Sequence, residues 1–215
     1  MTIAAIADAE AGSSVRTKLN AVIGKTNFLG PRAGKVWGPW GMQIAAASTL
    51  TANTIGLVPF PVHETMTVSA FVCRITTLAA GGNIQLAVYA SDPTTGMPTG
   101  NALGTTASQT TAATGVFSLA LAGSNFQMTP GVYWWAVNSD NATVVLASVS
   151  TGQEWSGALI GAANAANSWS GSTNIGLSWN VAQTFGTWPD LTAGSFTEAT
   201  NNKCCCFKFS VASVP

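Results

Sequence analysis

One histidine, four cysteines and eight acidic side chains are nearly all this chain offers for chemistry near neutral pH. A Ser-His-Asp or Cys-His arrangement therefore has a single possible base, His63, within PFPVHET at 59–65. Its neighbour Glu64 would point to the opposite side of an extended chain. The two prolines nearby suggest an irregular entry to a strand, and a surface or strand-edge histidine accounts for His63 more simply than a catalytic one. Glycoside hydrolysis needs two carboxyls roughly 5–10 Å apart. Asp92, Asp140, Glu154, Asp190 and Glu198 supply carboxyls, but no spacing pairs them. Asp92 and Asp140 sit in turn contexts, where an aspartate caps its own backbone. No acidic cluster suits calcium, and no glycine-rich run precedes a helix to cradle phosphate. The residues thus point to no enzyme, no metal and no cofactor.

The cysteines are Cys73, within a β-like stretch, and three in a row, Cys204, Cys205 and Cys206. No C-x-x-C spacing offers a zinc site. On an extended strand Cys205 shares a face with Phe207, Phe209 and Val211, which reads as core. Cys204 and Cys206 share the other face with Lys208 and Ser210. Neighbouring cysteines cannot bridge each other without strain, so Cys204 and Cys206 are candidates for disulfides to another chain. Each such bond is worth on the order of 2–4 kcal/mol in an oxidising medium. The alternative is that all four stay reduced and pack as small apolar groups.

Tryptophans are the other conspicuous residues. Trp155, Trp169, Trp179 and Trp188 fall in a region rich in Asn, Ser and Gly. Indole faces beside such side chains suit sugar rings, suit subunit contacts equally, and also fill cores. Trp37 and Trp40 flank the Gly38-Pro39 turn and are expected against a subunit or domain surface.

The elements that must hold these groups follow from composition and period. The chain has 215 residues, 47% apolar but only 7% charged, against about 25% charged in an ordinary soluble domain. Disorder needs the reverse balance. Eight basic and eight acidic residues cancel, which gives no electrostatic footprint for nucleic acid or an anionic membrane. Near-zero net charge also favours association. The start MTIAAIADAEAG lacks the basic leader and apolar run of a signal peptide. No window is long and apolar enough for a transmembrane helix. Synthesis and folding in a cytoplasm are the expectation.

A short helix is expected at about 14–23. Val15, Leu19, Val22 and Ile23 form one stripe that ends at Gly24. A helix of about ten residues cannot stand alone, so the stripe is a candidate assembly contact together with Trp37 and Trp40. A Gly/Pro connector runs to residue 42, which makes 1–42 a docking segment and 43–215 the main domain. There the period changes to two. Strands are expected at 65–77, 84–89, 116–121, 132–138, 143–149, 175–181 and 204–211, separated by turn signals. In 65–77, Met66, Val68, Ala70 and Val72 alternate with Thr67, Ser69, Phe71, Cys73 and Ile75. Short strands without helices mark an all-β sandwich or barrel.

The stretches NIQLAVYASDPTTGMPTGNALG (83–104), TGVFSLAL (114–121) and FQMTPGVYWWAV (126–137) resemble jelly-roll modules of tailed-bacteriophage virion appendages. EAGSSVRTKLNAVI (10–23) is similar to the start of phage tail and fibre proteins. The resemblance implies a jelly-roll-like antiparallel β-sandwich with an N-terminal docking segment. Tyr133 and one of Trp134 or Trp135 would enter its core while the other faces outward. It also implies a structural virion subunit of tail, collar, fibre or decoration type, a homotrimer docked to other virion proteins through its N-terminal segment. It brings no catalytic or ligand-binding positions. The alternatives are a host-glycan-binding tip, using the tryptophan-bearing loops of 150–190, and a carbohydrate-binding module.

Overall fold

A computed structural model describes residues 30–38, 44–149, 178–198 and 206–215. The chain divides into two units, Met1–Gly30 and Pro31–Pro215, and all described residues but Gly30 fall in the second. The helix expected at 14–23, with Val15, Leu19 and Val22, lies outside the described residues.

The described residues form strands and no helix. In chain order these are β1 (Val36–Trp37), β2 (Ile44–Thr49), β3 (Thr54–Val62), β4 (Met66–Thr77) and β5 (Asn83–Ser91). A loop then leads to β6 (Pro98–Thr105), β7 (Gln109–Thr110), β8 (Gly115–Ala120) and β9 (Phe126–Met128). The last are β10 (Gly131–Ser139), β11 (Val145–Val149), β12 (Trp179–Ala182), β13 (Thr197–Glu198) and β14 (Lys208–Ser213).

They make two antiparallel sheets packed as a sandwich. The first is built on β4, whose register decides the neighbours. Ala70 pairs with both Ser210 and Ala120, and Ile75 with both Leu146 and Gly115. A residue has one neighbour on each side, so β14 and β11 share one edge of β4, and β8 shares the other with β9. Beyond them β1 flanks β14 and β2 flanks β11. The second sheet runs β13-β12-β3-β10-β5-β6, with β7 also on β5. The chain crosses between sheets from β3 to β4 to β5, from β7 to β8, and from β9 through β10 and β11 to β12. That alternation is the one a jelly-roll-like sandwich requires. Because Val36 and Trp37 pair with Ser210 and Phe209, the sandwich begins inside the connector, not after residue 42.

The inner faces meet in an aromatic core. Phe60 stacks on Trp135 with ring centroids 4.6 Å apart and lies 5.2 Å from Phe209. Phe71 meets Phe207 at 4.7 Å and Phe209 edge-on at 5.7 Å. Met66, Val68, Cys73, Ile75, Leu86, Val88 and Val137 fill the space around these rings. The strict alternation expected along β4 fails here. Met66, Val68, Phe71, Cys73 and Ile75 are all buried. Between Ala70 and Val68, β4 advances two residues while β14 advances one, from Ser210 to Val211. This bulge at Ser69 switches the phase, so both apolar sets reach the core.

The second sheet is also buried on its outer face. Ile55, Leu57, Ala87, Tyr89, Trp134, Ala136, Trp179 and Leu191 form a separate cluster there. Residues 183–198 strap this face, with Trp188 and Phe196 packed on the cluster. The strap is pinned where the Gln183 and Phe185 amides donate to Asn53 O and Oδ1. The Leu191 amide donates to Gly100 O at 2.9 Å. Tyr133 and Trp135 enter the inter-sheet core, while Trp134 points the other way and is just as fully buried. The two prolines do not mark an irregular entry. β3 runs through Pro59 and Pro61, paired with Trp134 and Val132 of β10. β12 covers β3 only from Thr54 to Leu57, so among the described residues nothing pairs with β3 on that side at Pro59 and Pro61, where a missing donor costs little.

Phe209 touches Trp37, Phe60, Phe71, Trp135 and Phe207. Phe209→Ala is expected to destabilise the fold by about 3–5 kcal/mol, read from the chemical-denaturation midpoint.

Candidate functional site

At one end of the sandwich the β5–β10 ladder opens. Its last pair is Tyr133 with Ala90, while β10 stays paired to β3 through Val132 and Gly131. β5 turns away there into the loop at 92–97. A cleft of about 390 Å³ lies in this fork, lined by Ala90, Ser91, Asp92, Pro93, Gly96, Gly131, Val132 and Tyr133.

Both walls are fixed by local hydrogen bonds. Asp92 Oδ1 accepts from the amides of Thr94 and Thr95, at 2.9 and 2.8 Å, and from the Thr95 hydroxyl at 3.1 Å. These bonds, the Thr95 amide first, hold the Asp92 carboxyl below its ordinary 3.8, so it is ionised at neutral pH. Gly96, at φ +73, closes the turn. Its carbonyl accepts from Ser91 Oγ at 2.6 Å and from Trp134 Nε1 at 3.1 Å. Across the cleft the Tyr133 hydroxyl donates to Thr129 O and accepts from the Thr129 amide, both at 3.1 Å. That hook holds the Pro130-Gly131 turn against the sandwich, as a tyrosine corner does. The cleft thus offers tyrosine and proline rings, open glycine backbone and one anionic carboxylate. Such a set can hold a small hydroxylated ring, with apolar C–H faces on the rings and hydroxyls on the carboxylate. Among the described residues that line it there is one carboxyl.

The other described aspartates, Asp140 and Asp190, also serve turns. Asp140 accepts from the Asn83 amide at 2.6 Å and from Asn83 Nδ2 at 2.8 Å. Asp190 Oδ1 accepts from the Thr192 hydroxyl and amide; these bonds, the hydroxyl's first, lower its pKa. His63 is exposed and Glu64 half-buried. Among the described residues no three His, Cys, Asp or Glu side chains gather as metal ligands would.

The structure separates the remaining candidates. Trp37 stacks on Phe209 at 6.1 Å, against its own domain. Trp179 is only 8% exposed and meets Trp134 edge-on at 5.3 Å. It is a core residue and presents no open face to a sugar. Trp188 is half-buried, edge-on to Tyr89 at 6.3 Å. Trp40, Trp155, Trp169 and Cys204 lie outside the described residues. Cys206 corrects the outward placement expected of it. It is 4% exposed and belongs to the inter-sheet core, as does Phe207 beside it. The two precede β14, so strand alternation does not govern them. Cys73 is buried as well, and desolvation pushes its thiol up to about 12.

Sequence reasoning found the Asp92 turn but not the cleft, because the cleft is made by Asp92 and Tyr133 meeting across two strands. No family model and no curated protein matches the chain. The fold and the site define an antiparallel β-sandwich with an end-on, singly charged cleft.

A carboxyl held below its ordinary value stabilises the fold above that value and loses its contribution as pH falls through the lowered one. Asp92→Asn is therefore expected to lower the thermal midpoint at neutral pH, with the gap to wild type closing below 3.8. Melting curves from about pH 7 to about pH 2 check this.

Proposed function

We propose that this chain is a structural, non-enzymatic subunit of a tailed-phage particle, of tail, collar, fibre or decoration type. It acts by self-assembly and by docking to other virion proteins through its N-terminal segment. One observation carries the reading: the stretches that resemble appendage modules coincide with the elements that organise the sandwich. They span β5 to β10 and include the Asp92 turn, the Tyr133 hook and the buried Trp134–Trp135 pair. A surface solvated by Thr, Ser and Asn, with few ions, adds support, since identical copies meet without repulsion. The resemblance favours a homotrimer in the virion. Light scattering of the purified full chain is expected to give three times 21.9 kDa, and antibody labelling is expected to decorate particles. A monomer at high concentration together with unlabelled particles would contradict the reading.

The cleft favours a second reading, host-glycan binding at the tip of an appendage. Its Tyr133 and Pro93 rings beside the ionised Asp92 form a small polar-apolar seat. On this reading a glycan array shows binding by wild type. Asp92→Asn weakens that binding roughly tenfold, the scale of one charge-assisted hydrogen bond. An array blank for wild-type protein rules this reading out.

A further inference from the structure

Sheet edges are where a β-sandwich most readily takes on another chain, because their amides and carbonyls lack partners. Folded monomers defend such edges with lysines, prolines or bulges. The β8–β9 edge of the first sheet has little of this protection. β8 pairs with β4 in unbroken register from Gly115–Ile75 to Ala120–Ala70, so no bulge interrupts it. Neither β8 nor β9 contains a proline. Between Asp92 and Asp140 the sequence has no charged side chain at all, and that interval includes β6, β7, β8, β9 and β10. Arg74, which is exposed, sits on β4 opposite Val116, one strand in from the edge. Among the described residues nothing pairs with the outer side of β8. Only its C-terminal end is tied, through the Thr106–Leu121 bridge and the Ala122 amide on Thr105 O.

The side chains add to this. Val116, Ser118 and Ala120 are exposed while Leu119 is buried. Val116, at 68%, is the most exposed of the large apolar residues described. Interface cores are depleted of charge, and this edge has none of its own to desolvate. A second copy brings the same neutral strand and a net charge of zero. Apart from Arg74, a strongly charged partner would find no described side chain on β8 or β9 to pair with.

We infer that the β8–β9 edge is the seat of a second copy of this chain. The inference rests on the assembly reading and gives it a location. The second copy meets the edge backbone of residues 115–120 and covers Val116 and Ser118.

Val116→Lys and Ser118→Lys, made separately in the full chain, place a charge at exposed positions. Ala193→Lys, in an exposed turn of the strap over the second sheet, is the control. Sedimentation and light scattering read the assembly, and circular dichroism checks the fold. The expected result is an assembled wild type and control, with dissociation shifted at least roughly tenfold towards monomer in each edge variant. Amide exchange on unmodified protein is expected to show protection of 115–120 that falls on dilution. Edge variants that assemble like wild type, or exchange at 115–120 that ignores concentration, overturn the edge and leave the assembly reading standing. A wild-type monomer at high concentration overturns the edge, and together with unlabelled particles it overturns both.

Discussion

Burial of β10 on both faces is the constraint from which the rest follows. From Trp134 to Ser139 every residue of this strand is buried. Trp135 and Val137 face the inter-sheet core, while Trp134 and Ala136 face the opposite way. An indole of that size cannot stay in water when each aromatic burial removes on the order of 150–250 Å² of surface. The second sheet therefore needs two covers. The first sheet supplies one, with Phe71, Phe207 and Phe209 against Trp135 and Phe60. The strap at 183–198 supplies the other, with Trp188, Leu191 and Phe196 over Trp134 and Tyr89. The strap has few apolar residues, so it is held by backbone hydrogen bonds to Asn53 and Gly100 and by the Tyr89 hydroxyl donating to Pro189 O.

The scarcity of charge changes how the ends of the sandwich are fixed. Short acids and hydroxyls do locally what longer charged side chains do elsewhere. Asp92, Asp140 and Asp190 each bind groups within their own or a facing turn. The buried Ser139 hydroxyl donates to Asn83 O and accepts from the Asn141 amide. The buried Thr111 hydroxyl donates to Ala79 O. The bonds of Ser139 and Thr111 satisfy hydroxyls that would otherwise cost about 1–3 kcal/mol each when buried. Three of the acidic groups are thereby committed to structure. Asp92 also borders the cleft, so its one carboxylate both serves the turn through Oδ1 and charges the cleft wall.

Much of this was legible in sequence, for a physical reason. The strands expected at 84–89, 116–121 and 132–138 lie in or overlap β5, β8 and β10, because alternation and flanking turn residues are local signals. The sandwich class follows from their number. Three features were not legible, and each depends on residues far apart in the chain. The Ser69 bulge is visible only against the register of β14. Pro59 and Pro61 read as strand breakers because tolerance of them depends on where β12 stops. The role of Trp134 and Trp179 was open because the cover over the second sheet is a strap with Trp188, Leu191 and Phe196 spaced among polar residues. Cys206 was misplaced for a related reason: alternation was extended two residues beyond the start of β14.

The cleft and the neutral edge arise from one segment, and this links the two uses proposed for the molecule. β9 carries the edge to Met128, Thr129 and Pro130 turn the chain, and Gly131 begins the cleft wall. The Tyr133 hydroxyl, bound to Thr129, ties the turn between them. A second copy seated on residues 115–120 would lie along the edge that β9 continues towards this turn. A ligand in the cleft would act on the same turn from its other end. The two proposed uses therefore meet at the Thr129–Tyr133 hook. Tyr133→Phe breaks both hydroxyl bonds and keeps the ring, so it separates the hook from the wall it supports.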